Sequence, residues 1–208
     1  MLAWKYQHSR TDLHVHRLCL LLLAVLAIGV LTACSERKAT LQFKSTDITG
    51  TTIGGDFAMT DHTGQPRKLS DYKGKIVLLF FGFTHCPDVC PTTLSEAAGA
   101  MKVLGERSKD VQVLFVTVDP ERDTQALLAQ YVPAFDPRFV ALRGTREELE
   151  AAARQFKVYY EKVPTPGTYT MNHTAGTFVL DRQGRLRLLI PYGAGVDVVS
   201  HDIAQLLG

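Results

Sequence analysis

A nearly uninterrupted apolar run, Lys75 to Phe83 (KIVLLFFGF), gives way within three residues to the first of two cysteines, Cys86 and Cys90. A stretch this short and rich in β-branched and aromatic residues has the pattern of a central strand covered on both faces. After Pro91 the spacing changes, and Leu94, Ala97, Ala98, Met101 and Leu104 recur at helical intervals along one stripe. The cysteines therefore fall where a buried strand turns into a helix. Unpaired N–H groups and the positive dipole end at a helix N-terminus ease the ionisation of a thiol, and thiolate is the form that attacks disulfides and binds metals. Pro91 suits the first helical turn, where its missing N–H costs nothing.

The rest of the chain arranges itself around this junction. Phe57 to Thr60 and Arg67 to Leu69 flank Asp61-His62-Thr63-Gly64, a hairpin signal. Val111 to Val118 reads as a second buried strand closed by Asp119-Pro120, Thr124 to Tyr131 as a short helix, and Val140 to Leu142 as a brief strand. Thr145-Arg146-Glu147-Glu148 is a capping box opening a helix to Phe156. Val158 to Val163 is a strand candidate, and Pro164 to Asn172 reads as a Pro/Gly/Thr-rich loop leading to His173. Thr177 to Leu180 and Leu186 to Ile190 straddle Asp181-Arg182-Gln183-Gly184, a second hairpin, and Val196 to Leu207 is a closing amphipathic helix. Strands alternating with helices, plus two hairpins, predict an α/β domain: a mixed central sheet with helices on both faces and an N-terminal β-hairpin extension. With 46% apolar residues and a net charge of +2, nothing points to nucleic acid or to a broadly anionic partner.

The N-terminus reads as a leader. Lys5, Arg10 and Arg17 precede the apolar block Leu18 to Leu31, which is short for a membrane span and suits a signal-peptide core. It ends in Leu31-Thr32-Ala33-Cys34, which resembles the bacterial lipoprotein lipobox, implying that Cys34 carries diacylglycerol at the start of the mature chain. The expected division is a signal peptide over 1–33, a polar tether over 34–53 and one folded domain over 54–208. Cys19 would leave with the signal, so Cys86 and Cys90 are the only cysteines expected in the domain. Outside the cytoplasm such a pair is a structural disulfide, a cycling redox couple, or a dithiol kept reduced to hold a metal.

The element order resembles the thioredoxin fold, and the motifs are more specific than the fold. Phe81-Gly82-Phe83-Thr84-His85-Cys86-Pro87-Asp88-Val89-Cys90-Pro91, then Val118-Asp119-Pro120-Glu121-Arg122-Asp123-Thr124, then His173 ahead of Thr177-Phe178-Val179-Leu180-Asp181 resemble the Sco (SenC) family of membrane-anchored copper-binding proteins. The resemblance implies that Cys86, Cys90 and His173 bind copper, as Cu(I) or Cu(II), for delivery to the copper-bearing subunit of cytochrome c oxidase, with other copper chaperones as partners. It places Asp119 beside the metal rather than on it. It also implies a metallochaperone without turnover, lipid-anchored to a bacterial cell membrane and facing the periplasm.

Two thiolates and one imidazole form a soft three-donor set that suits Cu(I), whereas structural zinc normally takes a fourth protein ligand. His85 adjoins Cys86 but belongs to the strand end, and is expected near the ion rather than bound to it. Thioredoxin-like oxidoreductases place a proline where this chain has Thr174-Ala175-Gly176, a departure that leaves room for an imidazole near the sulfurs. The competing reading is an enzyme, a periplasmic thiol-disulfide oxidoreductase that uses Cys86 and Cys90 to reduce a partner's cysteines. A peroxidase lacks an arginine motif around the pair. A purely structural disulfide would waste a position where thiols are activated.

Overall fold

A computed structural model describes residues 41–208. The segment expected to be a leader, with its apolar block and Cys34, lies outside the described residues. The elements run β1 (Thr46–Asp47), β2 (Ala58–Asp61), β3 (Pro66–Lys68), β4 (Ile76–Gly82), α1 (Val89–Leu104), β5 (Val111–Thr117), α2 (Gln125–Tyr131), β6 (Val140–Arg143), α3 (Arg146–Phe156), β7 (Tyr160–Thr165), β8 (Thr168–His173), β9 (Gly176–Leu180), β10 (Leu186–Pro191) and α4 (Val196–Leu207). Eight strands form one mixed sheet in the order β1-β10-β9-β4-β5-β6-β2-β3. The fully buried β4 lies at its centre, parallel to β5 and antiparallel to β9. This is the expected thioredoxin-like α/β architecture, with the β2–β3 hairpin extending the sheet beyond β6.

Alternation along β4 sorts its aromatic residues to two faces. Phe81 meets Phe156 of α3 and Phe178 of β9, and Phe156 also meets Phe57, a cluster with ring centroids 5.3–6.4 Å apart. Phe80 points the other way, onto Phe115 of β5, which in turn meets Tyr131 of α2. On this second face α1 and α4 pack closely. A Cβ on Gly99 of α1 would lie 2.7 Å from Val196 Cγ2, so only glycine permits that approach. The capping box holds as read, with Thr145 Oγ1 accepting from the Glu148 N–H and the Glu148 carboxylate from the Thr145 N–H.

The two hairpins share one device. Asp61 and Asp181 each accept the backbone N–H groups two and four residues on, and each receives an arginine Nε, from Arg67 and Arg185. The glycine three residues on, Gly64 or Gly184, supplies the positive φ of 89° or 76° that the turn requires. Asp61 is only 3% exposed. Burial alone would raise its pKa, but hydrogen bonds from Thr63, Arg67 and Gln65 outweigh that and hold it at about 2, below the ordinary 3.8. A value depressed by folding stabilises the protein fully above the unfolded value, and the contribution disappears as pH falls through about 2. Asp61→Asn should therefore cost about 2 kcal/mol at pH 6 and roughly 0.4 kcal/mol at pH 2. Urea unfolding at both pH values checks this, and a constant difference would refute it.

Two expectations need correction. Residues 41–53, expected as tether, belong in part to the folded domain. β1 pairs with β10, and the buried Asp202 of α4 accepts the N–H groups of Lys44 and Ser45, both at 2.8 Å. A segment with no periodicity of its own is ordered by a carboxylate more than 150 residues away. Likewise, the stretch read as a loop over 164–172 is strand, because β7 and β8 form a two-stranded sheet with Tyr160 opposite His173 and Thr165 opposite Thr168. Pro166-Gly167 makes its turn, with Gly167 at a φ of 76°. Turn-forming residues dominate the composition there and mask the pairing.

Candidate metal centre

The end of β4 leads straight to the first sulfur. Cys86 closes a turn by donating its N–H to the Phe83 carbonyl at 3.3 Å, and α1 begins three residues later. Asp88 occupies the N-cap position without capping through its side chain. Instead the Cys90 N–H points at Cys86 Sγ, 3.4 Å away. The sulfur thus takes the place of a capping oxygen and receives one of the free amides of the helix start. Both cysteines are free thiols, Cys86 partly exposed and Cys90 completely buried.

Gly82 makes room for this. A Cβ there would lie 2.9 Å from Cys90 Sγ and within 2.8 Å of the Phe80 and Phe115 rings. Real Cβ atoms do not approach so closely, so the glycine that ends β4 is what lets Sγ settle against the strand.

His173, the last residue of β8, arrives from the other side. Its ring stands edge-on to Phe80 and Phe83, at centroid distances of 6.1 and 5.8 Å, in a notch that fixes its plane. Nδ1 lies 3.0 Å from the Thr174 carbonyl oxygen. A carbonyl only accepts, so Nδ1 carries the proton and Nε2 is left with a bare lone pair, 3.7 Å from Cys90 Sγ. One donor atom from each of Cys86, Cys90 and His173 lies within 4.8 Å of the others. Burial, opposed by the hydrogen bond to Thr174, holds the imidazole below its ordinary pKa, so it is neutral at neutral pH. Burial also pushes the Cys90 thiol up, so the sulfur keeps its proton until a cation displaces it. No proline stands between His173 and β9, and Thr174 instead pairs with Tyr159 at the base of the hairpin.

The two remaining expected residues sit around this centre, not in it. The half-exposed His85 has Nδ1 3.0 Å from Thr84 Oγ1. The single hydroxyl proton of Thr84 goes to Asp123 at 2.6 Å, so His85 Nδ1 donates to the hydroxyl oxygen. Asp119 is 1% exposed and directs its carboxylate to Arg122 and Tyr169.

Sequence reasoning passed over Asp123. Completely buried, it accepts from the Thr84 N–H, Thr84 Oγ1 and Thr117 Oγ1, tying the segment before the cysteines to the end of β5. Its signal was in the same Val118–Thr124 motif as Asp119. Nothing local, however, distinguishes the aspartate that grips a threonine 39 positions away.

Comparison with known proteins places the chain in a family of the same fold. The profile of the SCO1/SenC family matches residues 45–208. The mouse mitochondrial SCO2 homolog is 42% identical over 135 residues, 62% of this chain and 52% of that protein. The chain thus spans about half the length of such curated relatives. Among solved structures, copper-bound ScoI from Bradyrhizobium japonicum is 39% identical, with a TM-score of 0.69 over 74% of this chain and 99% of its own. Apo Sco1 from Thermus thermophilus is 42% identical, with a TM-score of 0.72 over 81% and 99%.

Proposed function

The chain belongs to the SCO1/SenC family, and we propose that it carries one copper ion on Cys86 Sγ, Cys90 Sγ and His173 Nε2 and passes it to the copper centre of cytochrome c oxidase during assembly. The observation that carries the reading is the imidazole. Its tautomer is set by the Thr174 carbonyl and its bare nitrogen faces a sulfur, the arrangement a ligating histidine needs. Two sulfurs and one nitrogen suit Cu(I), and three donors leave a position from which a receiving protein can draw the ion. Binding releases the thiol protons, and oxidation of the pair to a disulfide removes both sulfurs from the metal.

Anaerobic titration with Cu(I) against a competing chelator tests the reading. The wild-type chain should hold one equivalent tightly, and Cys90→Ser should lose at least a hundredfold in affinity, more than the roughly 10- to 100-fold that follows disturbance of groups behind a ligand. Equal retention by both proteins would reject the site.

One observation favours a second reading as a thiol-disulfide oxidoreductase. Cys86 is the accessible sulfur and receives a helix N–H, as an attacking thiolate does. In that chemistry Cys86 attacks a partner disulfide, Cys90 resolves the mixed disulfide, and two electrons and two protons leave with the reduced partner.

The proposed setting is a bacterial membrane surface facing the periplasm, with Cys34 as the lipid-bearing residue. The lipobox-like Leu31–Cys34 motif supports this, and Cys34→Ala should move the expressed chain from the membrane to the soluble fraction. Unchanged membrane association would exclude that anchor.

A further inference from the structure

The hairpin that delivers His173 is not a strand of the main sheet; β7 and β8 pair only with each other. Side chains from the turn after β5 hold its outer part down. Arg122, in the turn after β5, donates from Nε to Asp119 Oδ2 and from Nη1 to the Tyr169 carbonyl at 2.7 Å. Its guanidinium carbon lies 3.7 Å from the centroid of the Tyr169 ring. The Tyr169 hydroxyl donates to the other oxygen of Asp119 at 2.8 Å, which closes the circuit. Lys162 Nζ of β7 lies 4.7 Å from the centroid of the same Tyr169 ring and is paired with Glu121.

The position of this cluster matters for the imidazole. Tyr169, Met171 and His173 alternate along β8 and share one face, so fixing Tyr169 fixes the tilt of the strand that aims His173, roughly 13 Å away at 3.3 Å per residue. The same guanidinium lies 6.0 Å from the ring of Phe83, against which His173 stands edge-on. A ligand must be held within about 0.5 Å and 10–20° to bind well. The hydrogen bonds between Tyr159 and Thr174 tie down the base of the hairpin, and the buried Met171 packs its middle against the core. The Arg122 cluster ties down the outer end.

We propose that Arg122 and Tyr169, joined through Asp119, are positioning residues that hold the β7–β8 hairpin against the domain, keep His173 Nε2 at the sulfurs, and so set how long a copper ion is retained. The proposal rests on the copper site described above. It makes the motif after β5 part of the release mechanism: a partner that competes for the Tyr169 carbonyl or ring loosens the hairpin and weakens the nitrogen ligand.

The test measures Cu(I) release from the full chain to excess chelator for wild type, Arg122→Lys and Tyr169→Phe, each also in a His173→Ala background. Lysine keeps the charge but cannot bridge Asp119 and the Tyr169 carbonyl in the planar way of a guanidinium. Tyr169→Phe keeps the ring and loses only the hydroxyl. Release should quicken about tenfold or more in Arg122→Lys and less in Tyr169→Phe, with a weaker copper–nitrogen contribution in X-ray absorption. Neither substitution should change release once His173 is alanine. Wild-type release from Arg122→Lys, with fast release from His173→Ala, would overturn the positioning role and leave the copper site standing. Equal acceleration with and without His173 would also overturn it, since the effect would then bypass the imidazole. Wild-type release from His173→Ala itself would remove the site and the proposal together.

Discussion

Replacing His173 with alanine should weaken Cu(I) binding by roughly a hundredfold or more, because a first-hand ligand is lost where disturbing a group behind a ligand already costs about 10- to 100-fold. The same change should leave exchange between Cys86 and Cys90 and an external disulfide at its wild-type rate, since that chemistry needs only the two sulfurs. This split separates the copper carrier from the oxidoreductase. The imidazole also fills the notch between Phe80 and Phe83, so alanine opens a small cavity there. His173→Phe refills the notch without a nitrogen donor and should show the same loss of affinity. Chelator competition measures the affinity, and reduction of a small disulfide measures the exchange. Affinity within a few-fold of wild type in both variants would remove the imidazole from the site.

Asp123→Ala should lower stability by about 3 kcal/mol, the largest loss expected from a single side chain near the centre. The carboxylate is completely buried and accepts three donors, the Thr84 N–H, Thr84 Oγ1 and Thr117 Oγ1. Alanine leaves the buried Thr117 hydroxyl and the Thr84 N–H without this acceptor and cuts the tie between the partly buried Thr84 and the end of β5. For a domain of this size that loss lowers Tm by roughly 6–12 °C. Copper retention should fall as well, because Thr84 precedes His85 and Cys86 and anchors the turn that presents the sulfur. Asp123→Asn keeps one acceptor oxygen and should lose about half as much. Calorimetry of the metal-free protein isolates the stability effect, and a Tm change of less than about 2 °C for alanine would contradict it.

Much of this architecture was legible because it is written in contiguous residues. The buried β4, the capping box of α3, the closing helix Val196–Leu207 and both Asp-x-x-Gly hairpins follow from periodicity and turn chemistry spanning four to twelve positions. The thioredoxin-like arrangement and the family resemblance followed from their order. Residues 164–172 of the β7–β8 hairpin read as a loop because Pro164, Pro166, Gly167 and three threonines in 165–170 carry turn signals and no clean alternation. Its pairing is revealed only by the strand register from Tyr160↔His173 to Thr165↔Thr168. The segment before Gly54 was read as tether for the same kind of reason, since its order comes from Asp202 and β10.

The amino-acid sequence by itself determined which atoms can serve as ligands, two sulfurs at a helix start and one imidazole ahead of a late strand, together with the hydrophobic pattern that builds the sheet beneath them. Tertiary structure alone decided that His173 exposes Nε2 rather than Nδ1, that Gly82 yields space to Cys90 Sγ, and that Asp123 and Arg122 secure the two halves of the centre. The physical reason is range. Periodicity and capping act within a few residues, whereas a hydrogen bond across 39 or 47 positions depends on where folding brings the two ends of the chain.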